Sequence, residues 1–243
     1  MVEKALDLID ILSEEIDSPS LHHLADRLEL TRNRTFRLLA TLEARGLVEK
    51  DPRSGFYSLA LPAAEMAHKI LRNINLIKIA HPVMENLARK HDEAVYMTVL
   101  SGDDVLFLDM VDSTQQVKAT PLIGRRFPFF TNAAGKAIRA LDSWELVEKL
   151  YKRSRKQVPD RLLLESELKT IRSSGVAVDM GGLGDGITSV AVAVRDYAGK
   201  VVGALTVLGP SFRIVSDRLD NEIIPSLVEG GEALSLKLGF MKF

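Results

Sequence analysis

The sequence predicts an α+β protein of two domains, in which a small helical unit precedes a larger unit built on an antiparallel sheet. Three observations support this fold class. Residues 2–42 carry apolar residues at helical spacing, residues 47–59 read as two short strands around a turn, and from residue 79 onward apolar strands alternate with helices. A chain of 243 residues is long enough for two such units.

Composition limits the class of protein. Hydrophobic residues make up 46% and charged residues 27% of the chain, which is a normal globular mixture. The absence of cysteine excludes disulfides and thiolate metal sites. No apolar run reaches membrane-spanning length and the N-terminus has no signal-peptide pattern, so we expect a soluble, cytoplasmic protein.

Three short helices are predicted before residue 45. The first spans Val2–Ile16 and carries an apolar stripe opposite its acidic residues. The second covers about Leu21–Arg27, and Ser20 can cap its free backbone N–H groups. The third can start at Thr31, because the threonine hydroxyl can cap its first turn in the same way.

The third helix has two chemically different faces. At roughly 100° per residue, one sector collects the residues that suit a core, which are Thr35, Leu38, Leu39 and Leu42. The opposite sector is polar and includes Asn33, Arg34, Arg37 and Thr41. Arginine pairs bidentately with guanine edges or phosphate, and asparagine with adenine, so this face has the chemistry of a recognition helix in a DNA major groove. The alternative is an ordinary helical hairpin with a solvated basic face. The candidate DNA contacts are Arg32, Asn33, Arg34, Phe36 and Arg37.

A β-hairpin is predicted after the third helix. Gly46 supplies a stop signal for the helix, and Leu47–Lys50 and Phe56–Leu59 read as strands around a turn. Three helices followed by a hairpin make a winged helix-turn-helix. Arg53 at the hairpin tip can contact phosphate or a minor groove, although an ordinary exposed turn arginine is an equal alternative. The formal net charge of the chain is -1, whereas residues 30–59 hold six basic and three acidic residues, so positive charge is concentrated here.

Residues 61–78 are predicted to link the two domains, because Pro62–Lys78 carries a sustained apolar stripe at helical spacing. We expect this stripe to pack against a second copy, since two DNA half-sites need two recognition helices about 34–36 Å apart. Packing onto the same chain is the alternative. We therefore predict domains at residues 1–60 and 79–243, and a homodimer or homotetramer.

The remaining residues predict an antiparallel sheet with helices on both sides, which is typical of a ligand-sensing α/β domain. The strands are expected at Ala94–Leu100, Val105–Val111, Val117–Pro121, Val176–Asp179, Thr188–Asp196 and Lys200–Leu208. The helices are expected at Pro82–His91, Thr131–Leu141, Ser143–Tyr151, Glu165–Ser174 and Asp217–Leu238. The loops are expected at Gly124–Phe130 and Gly181–Gly186.

Six fragments of the sequence are informative in combination. They are VEKALDLIDIL at Val2, RLELTRNRTFRLLATLEARGLVEKDPRSGFYSLA at Arg27, IGRRFPFFTNAAGKA at Ile123, GVAVD at Gly175, ITSVAVAV at Ile187 and GALTVLGPSFRI at Gly203. In this order and spacing they resemble the IclR family of bacterial transcriptional regulators over nearly the whole chain. The resemblance implies a winged helix-turn-helix that binds a double-stranded DNA operator, followed by a GAF-like effector-binding domain, in a dimer or tetramer.

The resemblance also implies an effector pocket. In the family, this pocket is lined by small residues before a glycine-lysine pair, by an aspartate, by a cysteine or serine ten residues later, and by two residues of the last strand. The matching positions, with one candidate on a preceding predicted strand, are Val117, Ala133, Ala134, Asp179, Ser189, Thr206 and Leu208. Hydroxyls on valine-rich strands need hydrogen-bond partners, which a ligand can supply; neighbouring backbone is the alternative.

The sequence departs from the family pattern in ways that indicate a less polar pocket. Leu208 stands where a serine is common, and Phe107 or Met97 can add apolar surface. We therefore expect a small-molecule effector that is an aromatic or partly apolar organic acid, rather than a very small keto acid. Glu29 stands where glycine is common in the helix-turn-helix, so either this turn is strained or it does not need positive φ.

Other signals do not point to catalysis. Gly181–Gly186 lacks the phosphate-loop patterns, so we interpret it as a flexible loop that can cover the pocket. His22 and His23 diverge on a helix and make poor metal co-ligands. No nucleophile–base pair, paired-carboxylate site or metal cluster is visible, so we expect no enzyme, no metal and no cofactor. The alternative hypothesis is a metabolite-binding module or enzyme whose N-terminal unit mediates protein association.

Overall fold

The computed structural model describes residues 2–15, 17–66, 75–153 and 159–241. Contacts divide the chain into two compact units, Met1–Ile74 and Asn75–Phe243. Each unit has its own hydrophobic core. The first unit contains one cluster of buried apolar residues, and the second contains two. Within the described residues, no helix is both long enough and apolar enough to span a membrane.

The first unit begins with three helices, α1 (Val2–Glu14), α2 (Leu21–Arg27) and α3 (Arg32–Ala44). The predicted caps form. The Ser20 hydroxyl accepts a hydrogen bond from the His23 backbone N–H at 3.2 Å, and the Thr31 hydroxyl accepts one from the Arg34 N–H at 3.4 Å. The buried residues of α3 are Thr35, Leu38, Leu39 and Leu42, which confirms the predicted core face.

The turn between α2 and α3 is strained at Glu29. This residue has a φ of 55°, in the left-handed region, where a side chain costs about 1–2 kcal/mol. The Glu29 N–H donates to the Asp26 carbonyl at 3.1 Å and the Leu30 N–H to the Ala25 carbonyl at 3.0 Å, so two backbone hydrogen bonds hold the turn. The turn therefore does need positive φ, and the expectation of a strained turn is the correct one.

The predicted hairpin is confirmed. β1 (Val48–Lys50) and β2 (Tyr57–Leu59) pair antiparallel, and the turn between them carries Arg53. The Tyr57 side chain is buried, and its backbone N–H donates to the Pro19 carbonyl at 3.0 Å, which fixes the hairpin to the connection between α1 and α2. Residues 61–66 are helical, and the predicted helix Pro62–Lys78 lies partly outside the described residues.

The second unit is built on a six-stranded antiparallel sheet. Its order is β5-β4-β3-β8-β7-β6. The strands are β3 (Ala94–Ser101), β4 (Asp104–Val111), β5 (Arg126–Pro128), β6 (Val176–Met180), β7 (Ile187–Arg195) and β8 (Val201–Pro210). Because β3 pairs with β8, the centre of the sheet joins segments about a hundred residues apart in the chain.

Helices cover both faces of this sheet. They are α4 (Asn75–His91), α5 (Ala133–Arg139), α6 (Trp144–Arg153), α7 (Arg161–Ser174) and α8 (Ile224–Lys237). α4 and α8 pack on the face that presents Val95, Met97 and Leu205, whereas α5, α6 and α7 pack on the face that presents Tyr96 and Ala191. Neighbouring residues of a strand point to opposite faces, so Met97 and Tyr96 belong to different cores.

Three predictions for the second unit are wrong: one strand is absent, one strand lies in a predicted loop, and one helix begins earlier than expected. Val117–Pro121 is not a strand, and the sheet is extended instead by β5 inside the predicted loop Gly124–Phe130. β5 has only three residues, too few for an alternating pattern to reveal it. α4 begins at Asn75 and contains Pro82, which was expected to start the helix because proline is best tolerated in the first turn.

The closing helix is interrupted. The segment Ser216–Arg218 is α-helical, Leu219–Ile223 forms a π-helical turn, and α8 follows from Ile224. π-helical turns are rare and are frequently found at functional sites. The sequence predicted one continuous helix because the extra residue of a π turn leaves little trace in the apolar spacing.

The end of β7 extends beyond its partner β6. Their pairing ends at Val176 and Val192, and Arg195 lies past that point. The Arg195 backbone N–H donates to the Ser235 hydroxyl of α8 at 3.1 Å, and the same hydroxyl donates to the Gly231 carbonyl at 2.8 Å. The Ser235 side chain therefore accepts the hydrogen bond of a backbone N–H that β6 does not pair.

Candidate functional site

The polar face of α3 is open to solvent. The five predicted DNA contacts on this helix, Arg32, Asn33, Arg34, Phe36 and Arg37, are all exposed. Phe36 is 49% exposed, which is unusual for a large aromatic side chain beside a core. α3 is held from behind by its buried face, so the exposed face is presented on a rigid element.

The arginines on this face keep their charge available. Among the described residues, Arg34 and Arg37 form no ion pair with a carboxylate, and Arg32 contacts only the His22 ring at 3.3 Å. Arg53 lies in the turn of the hairpin, where its backbone N–H donates to the Asp51 carboxylate at 2.9 Å. The Ser54 hydroxyl donates to the same carboxylate at 2.6 Å, and these hydrogen bonds lower the pKa of Asp51. Asp51 therefore orders the turn and leaves the Arg53 guanidinium exposed.

In the second unit, three predicted effector residues lie side by side. Asp179 of β6 pairs with Ser189 of β7, which pairs with Leu208 of β8. Thr206 lies two residues before Leu208 and so faces the same side of the sheet. We call this group of four, together with Ala133 and Ala134, the hydroxyl site. The residues of this site are far apart in the sequence and become neighbours through the pairing of β6, β7 and β8.

The helix α5 covers the hydroxyl site. Ala133 and Ala134 are fully buried at its start, and Asn132 caps it by accepting a hydrogen bond from the Gly135 N–H at 2.8 Å. A Cβ on Gly135 would lie 2.3 Å from the Phe129 carbonyl oxygen, so this position has no room for a side chain. Gly135 therefore lets the start of α5 lie directly against the turn at Phe129 that precedes it.

Two buried hydroxyls of the hydroxyl site have no hydrogen-bond partner. The Ser189 Oγ and Thr206 Oγ1 atoms are inaccessible to solvent, and neither forms a hydrogen bond within the described part of the chain. An unsatisfied buried polar group costs about 1–3 kcal/mol. The alternative that neighbouring backbone satisfies them is therefore wrong, because both hydroxyls are buried without a hydrogen-bond partner in the described residues.

A buried lysine stands at one side of the hydroxyl site. Lys136 Nζ donates to Asp179 Oδ2 at 2.7 Å and to Glu167 Oε1 at 2.8 Å, and its side chain is 9% exposed. Burial alone would lower the pKa of Lys136, but hydrogen bonds and charge from the two carboxylates outweigh it and raise the pKa. Lys136 is therefore held as a cation beside the site.

The loop Gly181–Gly186 closes over the start of α5. The Gly182 N–H donates to the second oxygen of Asp179, Oδ1, at 2.9 Å. A Cβ on Gly182 would lie 2.1 Å from the Thr131 carbonyl oxygen, so the loop backbone touches the segment before the helix. Asp179 thus ties both Lys136 and this loop to the edge of the site.

Aromatic side chains add to the same face of the sheet. Tyr96 is paired directly with Thr206, and its ring meets Phe107 edge to face at a centroid distance of 5.2 Å. The Tyr96 hydroxyl accepts a hydrogen bond from the Leu122 N–H at 3.3 Å, and burial raises its pKa. Phe107 therefore lies on the expected face, whereas Met97 lies on the opposite one, so the expectation that Met97 lines the site is wrong.

Val117 is the predicted effector residue that lies apart from this group. It sits in a loop with 62% of its surface exposed, and its carbonyl accepts a hydrogen bond from the Arg213 guanidinium. Lys136, Glu167 and Tyr96 were not among the predicted site residues. The sequence held one signal for Lys136. It stands in the alanine-rich segment that forms α5, and a charged residue among buried alanines needs a partner.

Both units match models of known protein families. Residues 1–52 match the IclR helix-turn-helix domain, and residues 68–236 match the C-terminal domain of bacterial transcriptional regulators of the IclR type. The chain belongs to the IclR family of transcriptional regulators. It has the helix-turn-helix and the C-terminal effector-binding domain of that family, and the observed two-domain α+β fold agrees with both.

Individual relatives of this IclR-family chain agree along nearly their full length. The chain is 27% identical over 245 residues to the transcriptional regulator KdgR of Escherichia coli, covering 98% of this chain and 92% of KdgR. An IclR transcriptional regulator from Alicyclobacillus acidocaldarius has a similar structure, with a TM-score of 0.86, 23% identity and 97% of each chain covered. An IclR homolog from Microbacterium hydrocarbonoxydans, solved in complex with 4-hydroxybenzoate, has a TM-score of 0.78 and 21% identity, with 96% of this chain and 98% of that chain covered.

Proposed function

We propose that this chain binds an operator through the exposed face of α3 and that an organic acid bound at the hydroxyl site controls this binding. The observation that supports the DNA contact is the set of solvent-exposed arginines without carboxylate partners in the described residues. Arg34, Arg37 and Asn33 would read base edges or phosphates, with Phe36 packed along them. Arg32 and Arg53 would contact the backbone beside the groove.

The proposed assembly is a homodimer or homotetramer. A recognition helix reads one half-site, and a paired operator needs a second copy with its helix about 34–36 Å away. Residues 61–78 are the proposed linker between a DNA-binding domain at 1–60 and an effector domain at 79–243, and would bring two copies together. Such a regulator acts beside the DNA it binds, in the bacterial cytoplasm, and we propose no catalytic role for it.

The proposed effector is an aromatic or partly apolar organic acid. Ser189 and Thr206 would supply hydrogen bonds, while Leu208, Phe107 and Tyr96 would supply apolar contact. The 4-hydroxybenzoate bound by the Microbacterium homolog belongs to this chemical class. Binding would favour one of two arrangements of the dimer and so change the separation of the recognition helices.

Salt dependence tests the DNA-binding proposal. Several arginines in each subunit would neutralise phosphates, so we expect affinity to fall by about a thousandfold between roughly 50 and 200 mM salt. The duplex would be selected from a random library by several rounds of binding, and its affinity measured by fluorescence anisotropy with unlabelled competitor. If no sequence were enriched and no duplex were bound at low salt, the N-terminal unit would be an association module instead.

The Thr206→Val variant tests the effector proposal. Valine has the shape of threonine and removes only a hydroxyl without a partner, so we expect the free energy of unfolding to stay the same or rise by about 1 kcal/mol. Effector binding should become about tenfold weaker, because a hydrogen bond to the ligand is lost. Urea unfolding gives the first quantity, and calorimetry with aromatic acids, glyoxylate and pyruvate gives the second.

Thr98→Val is the matched control. The Thr98 hydroxyl is also buried in the sheet, but it donates to the Ala204 carbonyl at 3.0 Å, so its loss should reduce the free energy of unfolding by about 1 kcal/mol. Equal destabilisation by both variants would contradict the free hydroxyl at Thr206. Tight binding of glyoxylate or pyruvate without binding of aromatic acids would contradict the proposed effector class.

A further inference from the structure

The polar atoms of the hydroxyl site that lack partners are closed off from solvent. Ser189 Oγ and Thr206 Oγ1 are both inaccessible, and Leu208 beside them is fully buried. A ligand can therefore reach these atoms only when a segment that covers them moves aside. The helices on this face bury much apolar surface, so a loop that is held by a few polar contacts can move at a lower cost.

The loop of residues 112–122 reaches this site. It contains no helix or strand and is mostly exposed, but its last residue, Leu122, is buried in the core that also contains Leu208. The Leu122 N–H donates to the Tyr96 hydroxyl at 3.3 Å, and Tyr96 pairs with Thr206 across the sheet. The loop therefore ends beside the residues that a ligand has to reach.

A buried ion-pair cluster holds the middle of this loop. Arg213 follows β8, and its guanidinium donates to the Glu93 carboxylate from Nε at 2.8 Å and from Nη2 at 2.7 Å. Its third nitrogen, Nη1, donates to the Val117 carbonyl of the loop. Glu93 is 1% exposed and also accepts a hydrogen bond from Arg218 at 2.9 Å. One planar guanidinium therefore joins the loop to a carboxylate that is fixed in the core of the unit.

The start of the loop is held by the residue before Glu93. The Asp92 carboxylate accepts hydrogen bonds from the Thr114 N–H at 2.9 Å and from the Gln115 amide at 2.6 Å. The Ser113 hydroxyl donates to the Asp92 carbonyl at 2.7 Å. Asp92 has a φ of 48°, in the left-handed region that aspartate and asparagine tolerate better than most residues. Both anchors of the loop therefore directly follow the end of α4.

The segment after β8 also holds the glycine-rich loop at the same end of the sheet. The Ser211 N–H donates to the Gly186 carbonyl at 2.7 Å, and the Ser211 hydroxyl lies 2.8 Å from the Thr188 hydroxyl. Residues 211–213 thus connect the loop 181–186, which is tied to Asp179, with the loop 112–122. The two loops that border the hydroxyl site are joined at this one segment.

We propose that residues 112–122 form the gate through which a ligand enters the hydroxyl site, and that Arg213 is the positioning residue that keeps this gate closed. The purpose of the gate rests on the proposed effector site. Opening breaks the hydrogen bond to the Val117 carbonyl and leaves the pairing of the sheet intact. Because Asp92 and Glu93 follow α4, each opening also releases contacts at the end of the first helix of this unit.

The test measures how often the gate opens, and it needs no effector. The chain has no cysteine, so Thr206→Cys introduces a single thiol at the hydroxyl site, where the replaced hydroxyl has no partner to lose. Methyl methanethiosulfonate, a small uncharged thiol reagent, would be added to the full-length protein and labelling followed by mass spectrometry. We expect Arg213→Met to make labelling of Thr206→Cys about tenfold faster, because hydrogen bonds to charged groups are lost.

Val207→Cys separates opening of the gate from general unfolding. Val207 is the next residue and is fully buried, but its side chain belongs to the core on the opposite face of the sheet. The ratio of the labelling rate of Thr206→Cys to that of Val207→Cys should therefore rise about tenfold in Arg213→Met. Equal acceleration at both positions would show general unfolding and overturn the gate, and so would an unchanged rate at Thr206→Cys.

Arg218→Met is the matched control for Arg213→Met. Arg218 also donates to Glu93 and is partly buried, but its other hydrogen bonds go to the carbonyls of His91 and Arg213 and not to the loop. This variant should leave the ratio of the labelling rates unchanged. An equal rise of the ratio in Arg218→Met and Arg213→Met would overturn the role of the Val117 contact.

Asp92→Asn is a milder variant that keeps the gate testable even if Arg213→Met does not fold. Asparagine tolerates the φ of Asp92 but loses the charge that holds the start of the loop, so the ratio should rise about threefold. A ratio that stays constant in this variant would also overturn the gate. Calorimetry that found no effector would leave these labelling rates as they are, so the gate and the effector proposal fail separately.

Discussion

Replacing Arg34 by alanine is expected to weaken operator binding by about 1–3 kcal/mol and to relax the sequence preference at one base position. Arg34 is exposed on the first turn of α3, where a recognition helix comes nearest to base edges. Its side chain forms no ion pair in the described structure that would have to break first. The measurement is a set of anisotropy titrations against the selected duplex and its single-base variants.

Arg53→Ala provides the contrast. Arg53 lies in the hairpin turn, where contact with phosphate would add affinity without sequence preference. This variant should weaken binding to all duplexes by a similar factor and reduce the salt slope by about 1. If Arg34→Ala and Arg53→Ala had the same uniform effect on every duplex, α3 would not be the element that reads the sequence.

The second large effect is expected from Lys136→Met, which should lower the free energy of unfolding by about 3 kcal/mol. Methionine is similar in length, so the change removes the charge and leaves most of the packing. The cost arises because Asp179, whose side chain is only 10% exposed, would keep its charge with one remaining hydrogen bond from Gly182. Urea unfolding monitored by circular dichroism measures the difference.

Lys169→Met is the control, since Lys169 pairs with Glu165 on the exposed side of α7 and should contribute less than about 1 kcal/mol.

A pH series gives a second readout. The pKa of Lys136 is raised in the folded state, so its stabilisation is complete below the unfolded value of 10.5 and is lost as pH rises through the folded pKa. The free energies of unfolding of the wild-type protein and of Lys136→Met should therefore converge above that pH. A Lys136→Met variant as stable as Lys169→Met at pH 7 would contradict the buried network.

Local chemistry made much of the first unit predictable from sequence. Ser20 and Thr31 precede apolar stripes at the spacing that caps require, and both caps form. In the second unit the pairs β3–β4, β6–β7 and β7–β8 join consecutive strands, whereas the pair β3–β8 joins strands about a hundred residues apart. Alternation could locate β7 and β8 but could not reveal that β3 pairs with β8. The short β5 and the π-helical turn left no distinct pattern at all.

The candidate sites divide in the same way. The exposed arginines follow from helical geometry alone, because α3 has one buried face. The residues of the hydroxyl site could be predicted only through the resemblance to a family. Asp179, Ser189 and Leu208 come together through strand register, which the sequence alone does not reveal. The carboxylate partners of Lys136 come from β6 and α7, so sequence spacing could not have paired them. The sequence shows no companion for His91 at metal-ligand spacing, and in the described residues its ring nitrogens have no hydrogen-bond partner.

The serine at the open end of β7 bears on how copies of this protein can associate. A strand edge with free donors is a template on which another chain can add by backbone pairing, which leads to aggregation and uncontrolled polymers. Ser235 occupies the Arg195 donor from within the same subunit, so an incoming strand finds that position already bonded. At this one position Ser235 therefore acts like the devices by which sheet proteins protect their edges against the addition of a further strand.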